Sequence, residues 1–387
     1  MWFFSEEHCW LQSSVRQFAQ KQLAPRVEAL DELEEFNREA FYRMGELGLL
    51  GLTVSEEDGG AGMDAVAATL AFQEIAAVDA SMALSYLAHS ILCVHQIAKN
   101  ASLEQKKRYL PGLIQGETLG GMGMSEPDAG SDVLGMKTYA TLEGDVYRLQ
   151  GSKTWITNAP CGDVFYCYAK TAASHGVPGK RSISTFILEK GMEGFSTGKK
   201  FSKMGMRASP TGELIFSNCR VPQQNRVGLE GESVNQMMAN LDLERITLSG
   251  ISLGIARSCL DVATRYSQER KAFQKPIGAF QQIQLFLAEA SSWYEACQSL
   301  VYQAAKVWDL GHQASRIAAE AKLQSAQMAT QVALDAIQIL GGYGYTREFP
   351  VERYMRDAKL LEIGGGTNEI LRKIIARHML GKEIAEA

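Results

Sequence analysis

One carboxylate interrupts an apolar helical pattern in LDLERITLSGISLGI, residues 241–255. Leu241, Glu244, Leu248 and Ile251 recur at the spacing of a single helix face. Burial on that face would disfavour the charged form of the Glu244 carboxylate and raise its pKa, which suits a general base working near neutral pH. A buried glutamate paired with an arginine of another helix would produce the same pattern, so both interpretations stay open.

Three consecutive glycines precede a predicted helix in LLEIGGGTNEILRK, residues 360–373. Glycine adopts backbone conformations that other residues avoid, and it lets a ligand approach the main chain closely. Residues 363–366 contain no acid or base, so a reaction at this loop requires a base from another element.

A loop of small residues, GMGMSEPDAGSD at 121–132, is a second candidate for close ligand approach. Ser125, Ser131 and Asp132 offer hydrogen-bond donors and acceptors there. The loop matches neither the dinucleotide-binding glycine pattern nor the P-loop pattern. These residues alone therefore leave a structural loop and a ligand-binding loop equally open.

Two further stretches have both a binding and a structural interpretation. GSKTWITNA at 151–159 sets Trp155 beside Thr157, where the ring could stack on a flat heterocycle or fill the core of a strand. QERKAFQKPIGAFQ at 268–281 ends a long helix with Arg270, which could bind a phosphate or complement the helix C-terminus.

The elements that must position these residues divide the chain into three parts. Residues 1–118 have helical periodicity and a capping box that begins at Ser102. Residues 119–229 contain short β-type runs separated by turn residues, with a polar segment at 172–181. Residues 230–387 have long amphipathic helical patterns, whose surplus apolar surface indicates a subunit interface, although core packing alone would also explain it. The sequence predicts an α+β protein with an N-terminal helical domain, a middle antiparallel β-barrel or sandwich domain and a C-terminal four-helix bundle.

Composition excludes several classes of protein. The net charge of −5 argues against nucleic acid as the main partner. No apolar run reaches the length of a membrane span, because histidines and a glutamine interrupt the richest stretch at 83–98. Cysteines and histidines are scattered without metal-ligand or disulfide spacing, so we expect no metal site. The first residues lack the pattern of a secretory signal, which indicates a reducing compartment.

Two long patterns carry a family resemblance. GMSEPDAGSDVLG at 123–135 and QILGGYGYTREFPVERYMRD at 338–357 resemble the two characteristic patterns of the acyl-CoA dehydrogenase family of flavoenzymes. The resemblance covers essentially the whole chain, with its motifs in order. It implies FAD as the cofactor and a fold of helical, β and helical domains.

The resemblance implies cofactor contacts residue by residue. Ser125 resembles the hydroxyl residue that hydrogen-bonds the flavin, with Met122 and Met124 in the same loop, while Trp155 and Thr157 resemble the pair at the flavin ring. The remaining expected FAD contacts, several of them across a subunit interface, fall at Arg270, Phe273, Gln338, Gly341, Gly342, Thr367 and Glu369.

The resemblance also implies a mechanism. Most members carry the catalytic glutamate at the position of Gly365, whereas a minority, isovaleryl-CoA dehydrogenases among them, carry it at the position of Glu244. Glu244 would remove the α-proton of an acyl-CoA, the β-hydrogen would leave as hydride to the flavin, and the Gly365 N–H would polarise the thioester carbonyl. Substrate contacts are expected at Ser131, Asp242, Arg245, Leu248 and Gly364.

The resemblance finally bears on substrate, partners and location. Gly364 and Gly365 leave room beside the reacting carbons and Leu248 would form a pocket wall, which favours a short branched acyl group such as isovaleryl. A straight-chain acyl-CoA and a non-dehydrogenating reaction on the same scaffold remain alternatives. Electron-transferring flavoprotein is the expected acceptor and a homotetramer the expected assembly. The expected location is a bacterial cytoplasm or, after processing, the mitochondrial matrix.

Overall fold

The first part of the chain is helical, as predicted. The computed structural model describes residues 4–171, 182–381 and 384, so the polar segment predicted at 172–181 lies outside the described residues. The capping box at Ser102 is present, because its hydroxyl accepts from the Gln105 N–H and the Gln105 side chain accepts from the Ser102 N–H. The helices here are α1 (Glu6–Phe18), α2 (Val27–Leu33), α3 (Arg38–Glu46), α4 (Ala65–Ala76), α5 (Ala80–His89), α6 (His95–Asn100) and α7 (Leu103–Ile114).

The middle part forms one connected sheet of eight strands within the described residues. These strands are β1 (Gly120–Gly123), β2 (Tyr139–Glu143), β3 (Val146–Thr157), β4 (Val164–Thr171), β5 (Ile183–Glu189), β6 (Phe195–Thr197), β7 (Thr211–Pro222) and β8 (Arg226–Val227). Their order is β6-β7-β3-β2-β4-β5-β8, and β1 pairs with β4. Most pairs are antiparallel, as predicted, but β1 and the start of β2 run parallel to β4.

Strand β4 is buried on both faces, which explains its almost unbroken apolar sequence. Tyr166 and Tyr168 pack with residues of the N-terminal helices, whereas Phe165 and Cys167 pack with other strands. The alternation of side chains along β4 therefore joins the sheet's own core to the helical part.

Long helices follow the sheet. α8, α9 and α10 pack side by side and α12 packs on α10, in agreement with the predicted four-helix bundle. A short hairpin of β9 (Lys271–Ala272) and β10 (Lys275–Pro276) connects α8 to α9. The helices are α8 (Val234–Glu269), α9 (Gln281–Asp309), α10 (Ser315–Leu340), α11 (Val351–Leu361) and α12 (Asn368–Leu380), of which α11 was not predicted.

Helix α8 runs through the interior of the protein. Among the described helices it alone is long and apolar enough to cross a membrane, but 72% of its most apolar window is buried inside the protein. It lies along α4, and a Cβ on Gly250 would stand 2.7 Å from the Thr69 carbonyl oxygen. Glycine at this position therefore allows the two helix backbones to approach closely. As a result, the N-terminal and C-terminal helices share one apolar core.

A buried ion cluster reinforces this contact. Glu74 on α4 is 1% exposed, and its carboxylate accepts hydrogen bonds from Arg257 of α8 at 2.6 and 2.8 Å and from Arg16 of α1 at 2.9 and 3.1 Å. Burial alone would raise the pKa of Glu74, but the bonds from both arginines outweigh it and lower the pKa to about 2. The cluster fixes α8 relative to α1 and α4.

Candidate active site

Glu244 lies in the middle of the buried face of α8, where the apolar spacing predicted it. Glu244 is 8% exposed, and its carboxylate forms no ion pair or side-chain hydrogen bond with any described residue. Burial raises the pKa of Glu244 to about 7, against the opposing charges of Arg245 and Lys322. The alternative interpretation, a glutamate held in a structural ion pair, is therefore wrong for the described residues.

The three-glycine loop crosses over this carboxylate. It connects the end of α11 to the start of α12, and Gly365 and Gly366 have φ values of 66° and 98°, in the left-handed region. A Cβ on Gly365 would stand 2.5 Å from Leu248 Cδ1 and 3.8 Å from Glu244 Oε1. The fold thus brings Glu244 and Leu248, one turn apart on α8, together with Gly365, which follows them by more than 100 residues along the chain.

Two cationic side chains hold the loop. Arg245 Nε donates to the Gly365 carbonyl oxygen at 3.3 Å, and Lys322 Nζ donates to the Gly366 carbonyl oxygen at 2.7 Å. Lys322, on α10, was not among the predicted site residues. The signal that could have revealed it is the one that revealed Glu244: a charged residue on a helix face of small apolar residues, here AAEAKLQSA at 318–326.

The predicted substrate contacts divide into buried and exposed groups. Asp242 and Arg245 form a buried pair at 2.9 Å, and the Ser315 hydroxyl donates to the other Asp242 oxygen. Burial raises the pKa of Asp242, although Ser315 and Arg245 oppose the shift. Gly364 has open space beside it, with the Leu360 carbonyl oxygen as the nearest atom. Ser131 is exposed and lies in the loop after β1, away from this pair in the sequence.

The first set of predicted flavin contacts lies on β1, on β3 and in the loop between them. Met124 is buried, Ser125 is half-buried, and the Ser125 carbonyl accepts from the Thr154 N–H at 2.9 Å. Next to Thr154 stands Trp155, which is 65% exposed with a φ of 61°, so the core-tryptophan interpretation is wrong. An exposed aromatic ring beside hydroxyl residues fits a flat heterocycle. Met122 on β1 and Thr157 at the end of β3 belong to the same region.

The second set lies at the helix ends of the C-terminal part. Arg270 caps the end of α8, and its guanidinium lies 5.9 Å from the ring centroid of Tyr343 in the turn after α10. Phe273 in the β9–β10 hairpin is 89% exposed. Gln338, Gly341 and Gly342 lie at the end of α10, and Glu369 lies in the first turn of α12. Thr367 caps α12 as predicted, accepting from the Ile370 N–H.

Within one chain, the two sets lie on different elements. No hydrogen bond, ion pair or ring contact among the described residues joins Trp155 to the Arg270 and Phe273 set. The described residues also contain no cluster of three or more His, Cys, Asp or Glu side chains suited to a metal ion.

Comparisons with known proteins agree with this architecture. Three family profiles match: acyl-CoA dehydrogenase, N-terminal domain, over residues 5–117; middle domain, over 121–219; and C-terminal domain, over 232–380. The chain is 46% identical to the mitochondrial isovaleryl-CoA dehydrogenase of Pongo abelii over 375 residues, which cover 96% of this chain and 88% of the relative.

Solved structures give the same result. One described as the electron transferring flavoprotein of Acidaminococcus fermentans matches with a TM-score of 0.95 and 40% identity, over 98% of this chain and 99% of the other. The butyryl-CoA dehydrogenase of Megasphaera elsdenii matches with a TM-score of 0.94 and 37% identity, over 97% of this chain and 99% of the other. The resemblance and the fold class predicted from sequence are confirmed, and the chain belongs to the acyl-CoA dehydrogenase family of oxidoreductases.

Proposed function

We propose that this chain catalyses FAD-dependent α,β-dehydrogenation of a short branched-chain acyl-CoA, with isovaleryl-CoA as the preferred substrate, to the 2-enoyl-CoA. The observation that carries the proposal is the buried Glu244 carboxylate, which lies against the Gly365 loop without an ion-pair partner among the described residues. With its pKa at about 7, this carboxylate is a stronger base than an exposed glutamate and is still largely ionised at mildly alkaline pH.

Glu244 accepts the α-proton of the thioester in this proposal. The Gly365 N–H has no acceptor among the described residues, so it is free to donate to the thioester carbonyl oxygen, where negative charge develops as the α-proton leaves. Arg245 and Lys322 hold the next two carbonyl groups of the loop, so this donor has a fixed position. When bound, FAD supplies the acceptor for the hydride that leaves the β-carbon.

Both sets of predicted contacts fit a flavin nucleotide. The exposed Trp155 and Phe273 rings support this assignment, because large aromatic side chains left open to solvent commonly mark a binding surface. The residues proposed to hold FAD are Met122, Met124, Ser125, Trp155 and Thr157 in one set, and Arg270, Phe273, Gln338, Gly341, Gly342, Thr367 and Glu369 in the other.

The acyl group is proposed from the shape of the loop and from the relatives. Gly365 carries no side chain beside Glu244, and Leu248 Cδ1 lies 2.5 Å from the position that a Cβ of Gly365 would take, so an apolar side chain borders the carboxylate. A short branched apolar acyl group is compatible with these surroundings, and the Pongo abelii relative is named for the isovaleryl group. The residues proposed to contact the CoA part are Ser131, Asp242 and Arg245.

A straight-chain acyl-CoA is the second candidate. The Megasphaera elsdenii neighbour is named for butyryl-CoA. One methylene in an apolar pocket changes binding by only about 1–3 kcal/mol, so neighbouring chain lengths compete. A reaction without dehydrogenation is less well supported, because the base and the free Gly365 N–H are both present.

Electron-transferring flavoprotein is the proposed acceptor and a homotetramer the proposed assembly. A structural neighbour is itself described as an electron transferring flavoprotein. An open groove of about 760 Å³ between α9 and α10, with Phe286, Trp293 and Val332 in its walls, offers apolar surface for a second copy. The proposed location is a mitochondrial matrix or bacterial cytoplasm, since the Pongo abelii relative is mitochondrial.

The proposal is tested by anaerobic bleaching of the bound flavin with isovaleryl-, isobutyryl-, 2-methylbutyryl-, butyryl-, octanoyl- and glutaryl-CoA. Isovaleryl-CoA should bleach fastest. E244Q should bind FAD and acyl-CoA but lose bleaching, whereas E232Q, at an exposed glutamate just before α8, should bleach normally. Faster bleaching by a straight-chain acyl-CoA would contradict isovaleryl-CoA as the preferred substrate but would still support dehydrogenation. Full activity of E244Q would remove Glu244 as the base.

A further inference from the structure

Lys322 is a buried lysine whose positive charge the assignments above do not explain. The residue is 1% exposed, on α10, and its ammonium nitrogen has one hydrogen-bond acceptor among the described residues, the Gly366 carbonyl oxygen at 2.7 Å. A buried ammonium group is costly unless it is paired, and a methionine would fill the same space without a charge. The free-energy cost of burying this ammonium group indicates that its positive charge has a role at the site.

The geometry connects Lys322 to the candidate base through the glycine loop. Lys322 and Arg245 hold the carbonyl groups of Gly366 and Gly365, which are consecutive in the loop. Because both glycines adopt left-handed conformations, the loop has little intrinsic preference for its observed shape and depends on such anchors. The loop in turn lies against Glu244, since a Cβ on Gly365 would be 3.8 Å from Glu244 Oε1.

Lys322 and Glu244 also affect each other electrostatically. Burial lowers the pKa of Lys322 to about 7, and the charge of Glu244 opposes that shift. Lys322 in turn lowers the pKa of Glu244 against the effect of burial. The charged or titratable groups that act on this pair are Arg245 on α8, Glu362 after α11, Glu369 on α12 and Tyr168 on β4.

We propose that Lys322 is a positioning residue for the dehydrogenation: it anchors the three-glycine loop at Gly366 and, while protonated, lowers the proton affinity of the buried Glu244 carboxylate. The proposal rests on the proposed function, because it assigns Glu244 as the base. It predicts that the Lys322 ammonium contributes twice, to the position of the Gly365 N–H and to the proton affinity of Glu244.

Three variants separate these contributions. K322M removes both the positive charge and the hydrogen-bond donor. K322Q removes the charge and keeps an N–H donor, whereas K322R retains both the charge and a donor. The control is K106M, which breaks an ion pair between Lys106 on α7 and Asp58. It should change neither the position of the Gly365 N–H nor the proton affinity of Glu244. FAD content and thermal midpoint are recorded for each variant.

The first readout is the pH dependence of kcat/KM for anaerobic flavin reduction by isovaleryl-CoA. In K322M and K322Q the acid limb should move to higher pH by about one unit, the shift expected when an opposite charge near a carboxylate is lost. K322M should also reduce the rate at the pH optimum at least tenfold, and K322R should return the limb towards its original position. A purely structural lysine would lower the thermal midpoint without moving the limb.

The second readout needs no turnover. The infrared band of the protonated Glu244 carboxyl group, identified by its loss in E244Q, should persist to higher pH in K322M and K322Q than in the unmodified protein. An unmoved band and an unmoved acid limb in a folded, FAD-containing variant would overturn the proposal. If no acyl-CoA bleaches the unmodified protein, the proposed function fails, whereas the infrared titration still decides the role of Lys322.

Discussion

Replacing Glu244 by glutamine should stabilise the folded protein at alkaline pH. The pKa of Glu244 is about 7 in the folded protein, against an ordinary value of 4.5. A proton therefore binds more tightly to the folded than to the unfolded chain, and the stability that it contributes is complete below pH 4.5 and lost as the pH rises through 7. At 1.36 kcal/mol for each pKa unit, ionised Glu244 costs about 3 kcal/mol above pH 8.

Glutamine has a similar shape and does not ionise, so E244Q should avoid this cost. The free energy of unfolding of E244Q should exceed that of the unmodified protein by about 3 kcal/mol at pH 8.5, and the difference should vanish near pH 4.5. Urea unfolding with saturating FAD at several pH values measures it, with E232Q as the exposed control. Equal stability of E244Q and the unmodified protein at both pH values would refute the reasoning, because it would mean that water or an unrecognised partner solvates the carboxylate.

Three further predictions concern the site and its support. The acid limb of kcat/KM for flavin reduction should have an apparent pKa of about 7, and kcat/KM should fall roughly tenfold for each pH unit below it. A flat profile down to pH 5 would exclude Glu244 as the titrating base. E74Q should show the opposite pH dependence to E244Q, because the pKa of Glu74 is lowered to about 2 in the folded protein. The ionised Glu74 carboxylate therefore stabilises the fold by about 3 kcal/mol above pH 4.5, and this stabilisation is lost as the pH falls towards 2. Acid unfolding of E74Q and of the unmodified protein will test this. G365A should lower kcat/KM for isovaleryl-CoA more than for butyryl-CoA, because the added Cβ stands 2.5 Å from Leu248 Cδ1 at a φ of 66°; equal losses would indicate backbone strain alone.

Local patterns predicted most of the helices and the burial of Glu244. The face that contains Leu241, Glu244 and Leu248 could be identified because helical spacing is a property of the chain itself, and the same holds for the caps at Ser102 and Thr367. The β-type runs between turn residues predicted β3, β4, β5 and β7, whereas β1, β2, β6 and β8 were not predicted. Helix α11 was not predicted, because its first residue follows Pro350 and its sequence, VERYMRDAKLL, is largely polar.

Long-range relations could not be predicted in this way. The parallel pairing of β1 with β4 joins residues more than 40 positions apart, and nothing in either strand encodes the direction of its neighbour. The bond from Lys322 to Gly366 likewise depends on where α10 meets the loop. The sequence alone could not predict that Trp155 is exposed, because a strand residue faces either solvent or the core according to the elements that pack on its strand.

The close approach of α8 to α4 has a consequence for the way the chain acquires its structure. Gly250 and Thr69 meet across about 180 residues of intervening sequence, and the largest apolar core needs helices from both ends of the chain. Contacts of such high sequence separation form slowly, because the entropy of closing a long loop is lost before the contact stabilises anything. During synthesis, the first helices would leave the ribosome with their apolar faces uncovered and wait for α8. A fragment that ends before residue 234 should therefore aggregate or recruit chaperones, although it contains every strand of the main sheet.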